Sequence, residues 1–338
     1  MHFEPGRKKI LFFTRGRGRG HAIPDIAIVR ELEQLRPDIQ VRLVSYGTGA
    51  LTFAAHGIPC IDLQLPDQNS IAATTVLAGR VMAAMAPDLV VAHEEFSAMP
   101  VAKIFGLPTV MITDFFTGPG MLSMESLWYA DRVLFLARRG FHVEPPSVRG
   151  KVKYLGPALR PFTYRRRDRR RARAELGLAA DGAVITVLPG SWTEAMAPAY
   201  EAVVTAFDRL KQPSKHLVWL AGTDEHLLKK LVSARRNDIS VLGTDWQIDR
   251  LMVASDLVIT KANRMTVIEL ASLGIRTLSL SYGLNPVDEQ CVAGLEANET
   301  IAIGDLTAGR LRQALARPEP AAVRFRSRSC AKELSRLV

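Results

Sequence analysis

The chain has 338 residues, of which 48% are hydrophobic and 23% charged, and it carries a formal net charge of +10. These values exclude a disordered, collagen-like or coiled-coil protein, and the length favours two domains over one. Three widely spaced cysteines, with no apolar run long enough for a secretory signal or a membrane span, predict a cytoplasmic protein without a disulfide framework or a cysteine zinc site.

The first half of the chain alternates short apolar runs with amphipathic segments. This alternation predicts βαβ units, in which a parallel sheet carries helices on both faces. The predicted strands are Lys9–Phe13, Val41–Tyr46, Pro59–Leu63, Asp88–His93, Pro108–Thr113, Asp131–Leu136 and Lys151–Leu155. The predicted helices are Pro24–Leu35, Ala50–His56, Asn69–Met85 and Ser97–Phe105.

A domain boundary is predicted at Gly156–Phe162, which contains two prolines and a glycine. The domains are therefore expected at residues 1–160 and 161–320, followed by a C-terminal helix within 321–338 that could pack back on the first domain. The second domain repeats the βα pattern. Its predicted strands are Ala183–Leu188, His216–Ala221, Ile239–Leu242, Leu257–Thr260 and Thr277–Leu280, and its predicted helices include Glu194–Leu210, Thr307–Ala316 and Ala321–Leu337.

The expected fold class is α/β, with two doubly wound domains that face each other across a cleft. In such sheets, ligands bind outside the carboxyl ends of the strands. We therefore expect functional residues to come directly after predicted strands.

A glycine-rich segment connects the first predicted strand to the first predicted helix. It contains Gly16, Gly18 and Gly20, followed by His21. Glycines admit positive φ and the close approach of a ligand, and a helix N-terminus attracts anions. The segment lacks the third glycine of a dinucleotide fingerprint and the Gly-Lys-Ser/Thr of a P-loop. His21 could take a proton from an attacking hydroxyl near neutral pH, or it could simply cap the turn.

Carboxylates follow two further predicted strands. Glu94 and Glu95 come after the fourth strand, and Asp114 comes after the fifth. Each could bind acceptor hydroxyls, act as a base or support one. The competing interpretation is that they cap or charge the first turn of the next helix.

The second domain contains two candidate phosphate-binding turns. Gly190-Ser191 follows its first strand, where an ordinary βα turn has the same composition. Thr266 is predicted to open a helix that carries Glu269. The N–H and hydroxyl groups at the start of that helix would suit a diphosphate, and Glu269 could accept hydrogen bonds from ribose hydroxyls. Thr266 and Glu269 equally fit a capping box. Glu289-Gln290, after the next strand, could hold sugar hydroxyls.

Residues 164–176 hold seven arginines and two acidic residues, so half of the net charge lies in one segment. We expect Arg165–Arg173 to form a solvated helix. A patch that docks on anionic lipid head groups is the second interpretation, and nucleic-acid binding is the third. No nucleic-acid partner is expected, because no aromatic residue except Tyr164 is interleaved with the arginines.

Four segments, in order along the chain, resemble glycosyltransferases with two Rossmann-like domains, the GT-B fold. They are GRGRGH ending at His21, GPALR at Gly156–Arg160, the stretch Ser255–Glu269 with Gly274, and Glu289-Gln290. The groups resembled are the N-acetylglucosaminyltransferase that completes the peptidoglycan lipid precursor, and monogalactosyldiacylglycerol synthase.

The resemblance implies an N-terminal acceptor-binding domain and a C-terminal domain that binds a nucleotide sugar, usually a UDP-sugar. It implies an inverting hexosyl- or N-acetylhexosaminyltransferase without an essential metal or any cofactor besides its co-substrate, acting on an acceptor hydroxyl that could be lipid-linked. By position, His21 would lie at the catalytic centre and the Ile248 backbone would meet the base. Lys261, Ala262, Asn263, Arg264 and Thr266 would face the phosphates, Glu269 the ribose, and Glu289 and Gln290 the donor sugar.

The chain departs from these groups at two places. They usually have a glycine within the segment where this chain has Asn263, Arg264 and Met265, and the peptidoglycan enzyme has paired glycines at Glu94 and Glu95. Two other functions stay open: an enzyme like UDP-N-acetylglucosamine 2-epimerase, which shares the architecture, and a protein that binds an anionic polymer through the arginine segment. We expect a monomer, which could associate with a membrane surface.

Overall fold

The computed structural model describes residues 3–4, 6–17, 19–116, 125–137, 139–140, 142–188, 197–222, 229, 232, 238–243, 245, 247–281, 283, 286–325 and 329–338. The chain divides into two compact units. Unit 1 comprises Met1–Arg160 and Arg326–Val338, and unit 2 comprises Pro161–Phe325.

Unit 1 is built on a sheet of seven strands. They are β1 Lys8–Thr14, β2 Ile39–Ser45, β3 Cys60–Asp62, β4 Leu89–His93, β5 Thr109–Thr113, β6 Arg132–Phe135 and β7 Val152–Tyr154. All pair in parallel, in the order β3-β2-β1-β4-β5-β6-β7. The order reverses between β1 and β4, and at such a switch point the loops after the two strands diverge to opposite faces and leave a crevice.

Helices on both faces bury this sheet. They are α1 Ala22–Leu35, α2 Gly47–Ala55, α3 Ile71–Met85 and α4 Ala98–Ile104. One apolar layer contains Phe12 and Leu32, and the other contains Phe13 and Met82. Because successive residues of a strand point to opposite faces, β1 supplies both layers, which explains its uninterrupted apolar sequence.

Unit 2 repeats the topology with six parallel strands. They are β8 Ala183–Leu188, β9 Lys215–Leu220, β10 Ile239–Leu242, β11 Leu257–Lys261, β12 Thr277–Ser281 and β13 Asn298–Ala302, in the order β10-β9-β8-β11-β12-β13. Sequence reasoning missed β13. Its sequence NETIA lies at the edge of the sheet and buries only Asn298 and Ile301, so it lacks an apolar run.

The helices described in unit 2 are α5 Arg169–Glu175, α6 Ala197–Asp208, α7 Ile248–Ala254, α8 Arg264–Leu273, α9 Pro286–Ala293 and α10 Ala308–Ala316. Among the described parts of both units, no helix is long and apolar enough to cross a membrane.

The C-terminal helix is much shorter than the predicted Ala321–Leu337. It is α11, Cys330–Leu334, and Ser329 caps it by accepting a hydrogen bond from the Lys332 amide. Residues 321–325 are not helical, and the Val323 amide donates to the Ala271 carbonyl instead of to a helical turn. The buried side of α11 packs against α1 within unit 1.

The arginine segment is a solvated helix only in part, because Arg165, Arg167, Arg170 and Arg171 are exposed whereas Arg173 is buried. Arg173 on α5 is buried and donates to the carbonyls of Ala254 and Ala180 and, at 2.6 Å, to the carboxylate of Asp256. Arg169 pairs with the same carboxylate. A long guanidinium has enough donors to satisfy several inward-facing oxygens at once, which composition alone does not reveal.

We expect Arg173→Ala to destabilise unit 2 by about 3 kcal/mol, because it leaves Asp256 and two carbonyl oxygens short of a buried donor. Arg167→Ala is the matched control, since Arg167 lies on the same segment and is exposed; its effect should stay within about 0.5 kcal/mol. Calorimetric unfolding of both variants tests this. Equal effects would show that Arg173 is a surface residue in solution.

Candidate functional site

The candidate site of unit 1 lies at the switch point of its sheet. β1 and β4 are neighbours, with Thr14 paired to His93 at their carboxyl ends. The segment after β1 carries His21 at the start of α1, and Glu94 follows β4 directly. Two predicted candidates that are 73 positions apart are thereby brought together.

The imidazole of His21 contacts the carboxylate of Glu94. His21 Nε2 lies 2.7 Å from Glu94 Oε2, and Arg15 Nη1 lies 3.6 Å from the same oxygen. The Glu94 side chain is 4% exposed and that of His21 19%. Burial by itself raises the pKa of Glu94, but the charge and hydrogen bond of His21, with the charges of His93 and Arg15, lower it to about 2. Glu94 is therefore a buried carboxylate that stays ionised.

Glu94 is held from its other side as well. Its Oε1 accepts hydrogen bonds from Thr113 Oγ1 at 3.2 Å and from the Asp114 amide at 3.3 Å. Its φ is +53°, in the left-handed region that favours glycine. That conformation costs a non-glycine residue about 1–2 kcal/mol, and such outliers cluster at functional sites. The strained backbone aims the carboxylate at His21.

His21 occupies the N-cap position of α1, but its side chain makes no capping hydrogen bond. The interpretation of His21 as a turn cap is therefore wrong for its side chain, which turns towards Glu94. Its Nδ1 is buried and has no hydrogen-bond partner among the described residues. Because an ionised carboxylate can only accept hydrogen bonds, Nε2 is the ring nitrogen that donates to Glu94.

A second buried histidine lies beside His21, and sequence reasoning did not select it. His93 Nδ1 is 2.7 Å from Asp25 Oδ1, and Asp25 Oδ2 accepts a hydrogen bond from Thr14 Oγ1. The rings of His93 and His21 meet edge to face, with centroids 4.8 Å apart. The sequence feature that could have pointed to this pair is Asp25 in the first turn of α1, because it is the one acidic residue on the apolar face of that helix.

Glu95 belongs to a separate contact. Its Oε2 accepts a hydrogen bond from the Tyr46 hydroxyl at 2.9 Å. Burial raises the pKa of Glu95, and the hydrogen bonds from Tyr46 and Ser97 oppose that rise. Asp114 is half-buried, so it is the most accessible of the three predicted carboxylates.

The glycines of the first segment have different roles. A Cβ on Gly16 would lie 2.3 Å from the Tyr46 carbonyl oxygen, so Gly16 is needed for packing against Tyr46. A Cβ on Gly20 would meet nothing within 4 Å. Neither Gly16 nor Gly20 has a positive φ, so the expectation that these glycines adopt positive φ is wrong. Gly18 lies outside the described residues.

His21, His93 and Glu94 each present one potential metal-ligand atom, and these atoms lie within 4.8 Å of one another. Imidazoles and a carboxylate are ligands that zinc accepts. The 2.7 Å contact of His21 with Glu94 is a direct hydrogen bond, so the two groups hold each other without an ion. The metal-free reaction implied by the resemblance stays a prediction.

The candidate site of unit 2 is the turn between β11 and α8, beside the equivalent switch point. Asn263 caps α8, because its side-chain oxygen accepts from the Thr266 amide at 3.1 Å. Thr266 is thus the third residue of a helix that begins at Arg264. The predictions that Thr266 opens the helix and that it caps it in a box with Glu269 are both wrong, because Asn263 takes the cap.

The other predicted residues of unit 2 are spread over this turn and its neighbours. Arg264 and Glu269 are buried on α8, Ala262 is buried and Lys261 half-buried before it, Glu289 is half-buried and Gln290 exposed on α9, and Ile248 is half-buried as the first residue of α7. Helices α8 and α9 are in contact. Gly190 and Ser191 lie outside the described residues.

We expect Tyr46→Phe to destabilise the protein more at pH 8 than at pH 5. Losing the hydroxyl raises the pKa of Glu95 further above its unfolded value, so the fold prefers protonated Glu95 more strongly and loses stability as pH rises. The loss should be about 1–2 kcal/mol at pH 8 in urea unfolding. Tyr129→Phe, at an exposed tyrosine of unit 1, is the control. An equal loss at both pH values would contradict the role of Glu95.

Sequence and structure comparisons identify known proteins that are similar to this chain. No family model matches the chain. The UDP-N-acetylglucosamine–N-acetylmuramyl-(pentapeptide) pyrophosphoryl-undecaprenol N-acetylglucosamine transferase of Desulforudis audaxviator is 27% identical over 305 residues, which are 81% of this chain and 78% of that protein.

Solved structures share the fold. MurG of Acinetobacter baumannii aligns over 98% of this chain and 99% of its own, with a TM-score of 0.57 and 18% identity. UDP-GlcNAc 2-epimerase of Neisseria meningitidis, solved with UDP-GlcNAc bound, aligns over 90% of this chain and 91% of its own, with a TM-score of 0.68 and 13% identity. The chain therefore has the GT-B fold and resembles the N-acetylglucosaminyltransferases that complete the peptidoglycan lipid precursor.

Proposed function

We propose that this protein is an inverting glycosyltransferase that moves a sugar from a UDP-sugar to a hydroxyl of a lipid-linked acceptor. The observation that carries the proposal is the 2.7 Å contact between His21 and Glu94 at the switch point of unit 1. The relatives named above are N-acetylglucosamine transferases with an undecaprenol-linked acceptor, and their similarity extends over most of the chain.

His21 is the proposed general base. An efficient base has a pKa near the working pH, and the pKa of Glu94, about 2, makes that carboxylate a poor one. Glu94 instead orients the ring through Nε2 and stabilises the imidazolium that forms when the ring takes the acceptor proton. The acceptor oxygen bonds to the anomeric carbon, the bond from that carbon to the diphosphate oxygen breaks, and UDP leaves with both electrons of that bond.

Unit 1 would bind the acceptor. Asp114 is half-buried after β5, and its amide contacts Glu94, so an acceptor hydroxyl held by Asp114 would lie close to His21. Glu95 is buried against Tyr46 and would act by fixing the loop after β4.

Unit 2 would bind the UDP-sugar at the turn before α8. The first amides of a helix lack intrahelical partners and stabilise negative charge, which grows on the diphosphate as it leaves. The segment Lys261–Thr266 would face the phosphates, with Gly190-Ser191 after β8 as a second contact. Glu269 would bind the ribose, Ile248 the base, and Glu289-Gln290 the donor sugar.

A 2-epimerase of the same fold is the alternative. It would convert a UDP-sugar into its epimer without an acceptor, whereas a transferase releases UDP only as an acceptor is glycosylated. The dependence of product formation on acceptor separates the two.

Calorimetric titration with UDP, CDP, GDP and TDP in EDTA tests the donor site. We expect UDP to bind, and Glu269→Ala to weaken binding about 10–100-fold, because a buried carboxylate then no longer accepts from the ribose. Glu296→Ala, at an exposed glutamate of unit 2, should bind like the wild type. If the folded wild type binds none of the four, the nucleotide-sugar proposal fails.

The transfer reaction is tested with UDP-GlcNAc and undecaprenyl-pyrophosphoryl N-acetylmuramyl-pentapeptide. His21→Asn should lower kcat about 10²–10⁴-fold, since general-base catalysis is lost. Glu94→Gln should lower it less, because the ring remains. His56→Asn is the control, since His56 Nδ1 lies 2.8 Å from the carbonyl oxygen of Thr52 on α2. A new sugar formed without acceptor would identify the epimerase instead.

A further inference from the structure

Three side chains of unit 1, those of His21, His93 and Glu94, come together beyond the carboxyl ends of β1 and β4. Each presents one potential ligand atom, and these atoms lie within 4.8 Å of one another. Two imidazoles and one carboxylate are a known donor set of open zinc sites, in which water or substrate takes the fourth position. The transfer scheme uses His21 as a base and Glu94 as its support, and it leaves His93 without a role.

His93 is held in the way that metal-bound histidines are held. Its Nδ1 lies 2.7 Å from Asp25 Oδ1, and the other oxygen of Asp25 accepts a hydrogen bond from Thr14 Oγ1. A histidine ligand nearly always donates its second ring N–H to a carboxylate, a carbonyl or water, which fixes the ring orientation. The contact with Asp25 therefore occupies Nδ1 and leaves Nε2 as the ligand atom of His93.

The carboxylate of Glu94 has the same kind of outer support. Its Oε1 accepts hydrogen bonds from Thr113 Oγ1 and the Asp114 amide, whereas its Oε2 lies 2.7 Å from His21 Nε2. A zinc ion bound to both of those atoms would hold them about 3.3 Å apart. An opening of about 0.6 Å therefore converts the hydrogen bond into coordination, and its proton passes to solvent.

Solvent reaches the cluster at His21. The side chains of His93 and Glu94 are each 4% exposed, and that of His21 is 19% exposed. A dication that enters there meets one opposing charge, since Arg15 Nη1 lies 3.6 Å from Glu94 Oε2. The Arg15 side chain is 31% exposed and can therefore turn into solvent when an ion binds.

We propose that His21, His93 and Glu94 form an inhibitory site for Zn²⁺, with water in the fourth position. A bound ion takes the imidazole of His21 out of proton transfer, so zinc binding and sugar transfer exclude each other. The metal site stands on the geometry of the cluster, whereas the inhibition rests on the function proposed above, in which His21 is the base. Mg²⁺ does not suit the site, because it prefers oxygen ligands in octahedral geometry.

Zinc affinity is measured on EDTA-treated, chelator-free protein by competition with a chromophoric zinc chelator. We expect one ion per chain, which millimolar Mg²⁺ does not displace. His93→Gln and Glu94→Gln each remove a ligand and should weaken binding more than about 100-fold, because loss of an outer-shell partner alone costs about 10–100-fold. Asp25→Asn should show that smaller loss.

Two kinds of control separate this site from zinc bound elsewhere. Arg15→Gln removes the opposing charge and should tighten binding about 2–5-fold, the range expected of a partly exposed charge pair. His56→Gln and Cys60→Ser, at half-buried side chains outside the cluster, should bind zinc like the wild type. Co²⁺ in place of Zn²⁺ should give the visible absorption of a four-coordinate site, which His93→Gln should lose.

The transfer assay tests the inhibition. Zinc should abolish sugar transfer, and EDTA should restore it. In His93→Gln the zinc concentration for half-inhibition should rise by the same factor as the dissociation constant. The binding measurements need no substrate, so they remain decisive even if the wild type transfers no sugar, and failure of the proposed function is separable.

The proposal is overturned if the folded wild type binds no zinc. It is also overturned if binding is unchanged in both His93→Gln and Glu94→Gln, since the ion would then lie elsewhere. Zinc that binds through these residues and leaves transfer unaffected, or accelerates it, would overturn the inhibition. If one of the two variants does not fold, the other decides, because each removes one ligand.

Discussion

The pairing of β1 with β4 is the constraint on which the candidate site of unit 1 depends. Thr14 and His93 are adjacent at the carboxyl ends of these strands, and the loops that follow bring His21, Asp25 and Glu94 together. None of the three would be close to another in an extended chain. The register of one strand pair therefore decides which titratable groups share a buried volume.

This buried volume holds charged groups, and that explains why each of its carboxylates has several hydrogen-bond partners. Two buried carboxylates, Asp25 and Glu94, each have a histidine partner and further donors from hydroxyl or amide groups. A buried carboxylate deprived of its partner destabilises a fold by several kcal/mol, so the network is stable only as a whole. The same contacts hold Glu94 in its left-handed backbone conformation. A glycine at this position would adopt that backbone without strain.

Unit 2 has the same strand order but different chemistry at its switch point. Its turn before α8 offers a capped helix start and backbone amides. The arginines that give the chain much of its charge are partly engaged in holding unit 2 together, through Asp256 and Glu319. This use of arginine weakens the interpretation of the segment as a surface for an anionic polymer.

The amino-acid sequence by itself determined the α/β class and most of the strands, since buried parallel strands are continuous apolar runs; Ala183–Leu188 has the predicted bounds. It also singled out His21 and Glu94, each from its place after a strand. It could not pair them, nor reveal the roles of Asp25 and His93, because a contact between distant segments depends on strand order and register. The same reason accounts for Arg173, buried where a run of charge predicts solvent, and for β13, an edge strand whose polar sequence becomes a strand only beside β12. Local periodicity is set by neighbouring residues, whereas charge pairing and burial are decided only when the chain is packed.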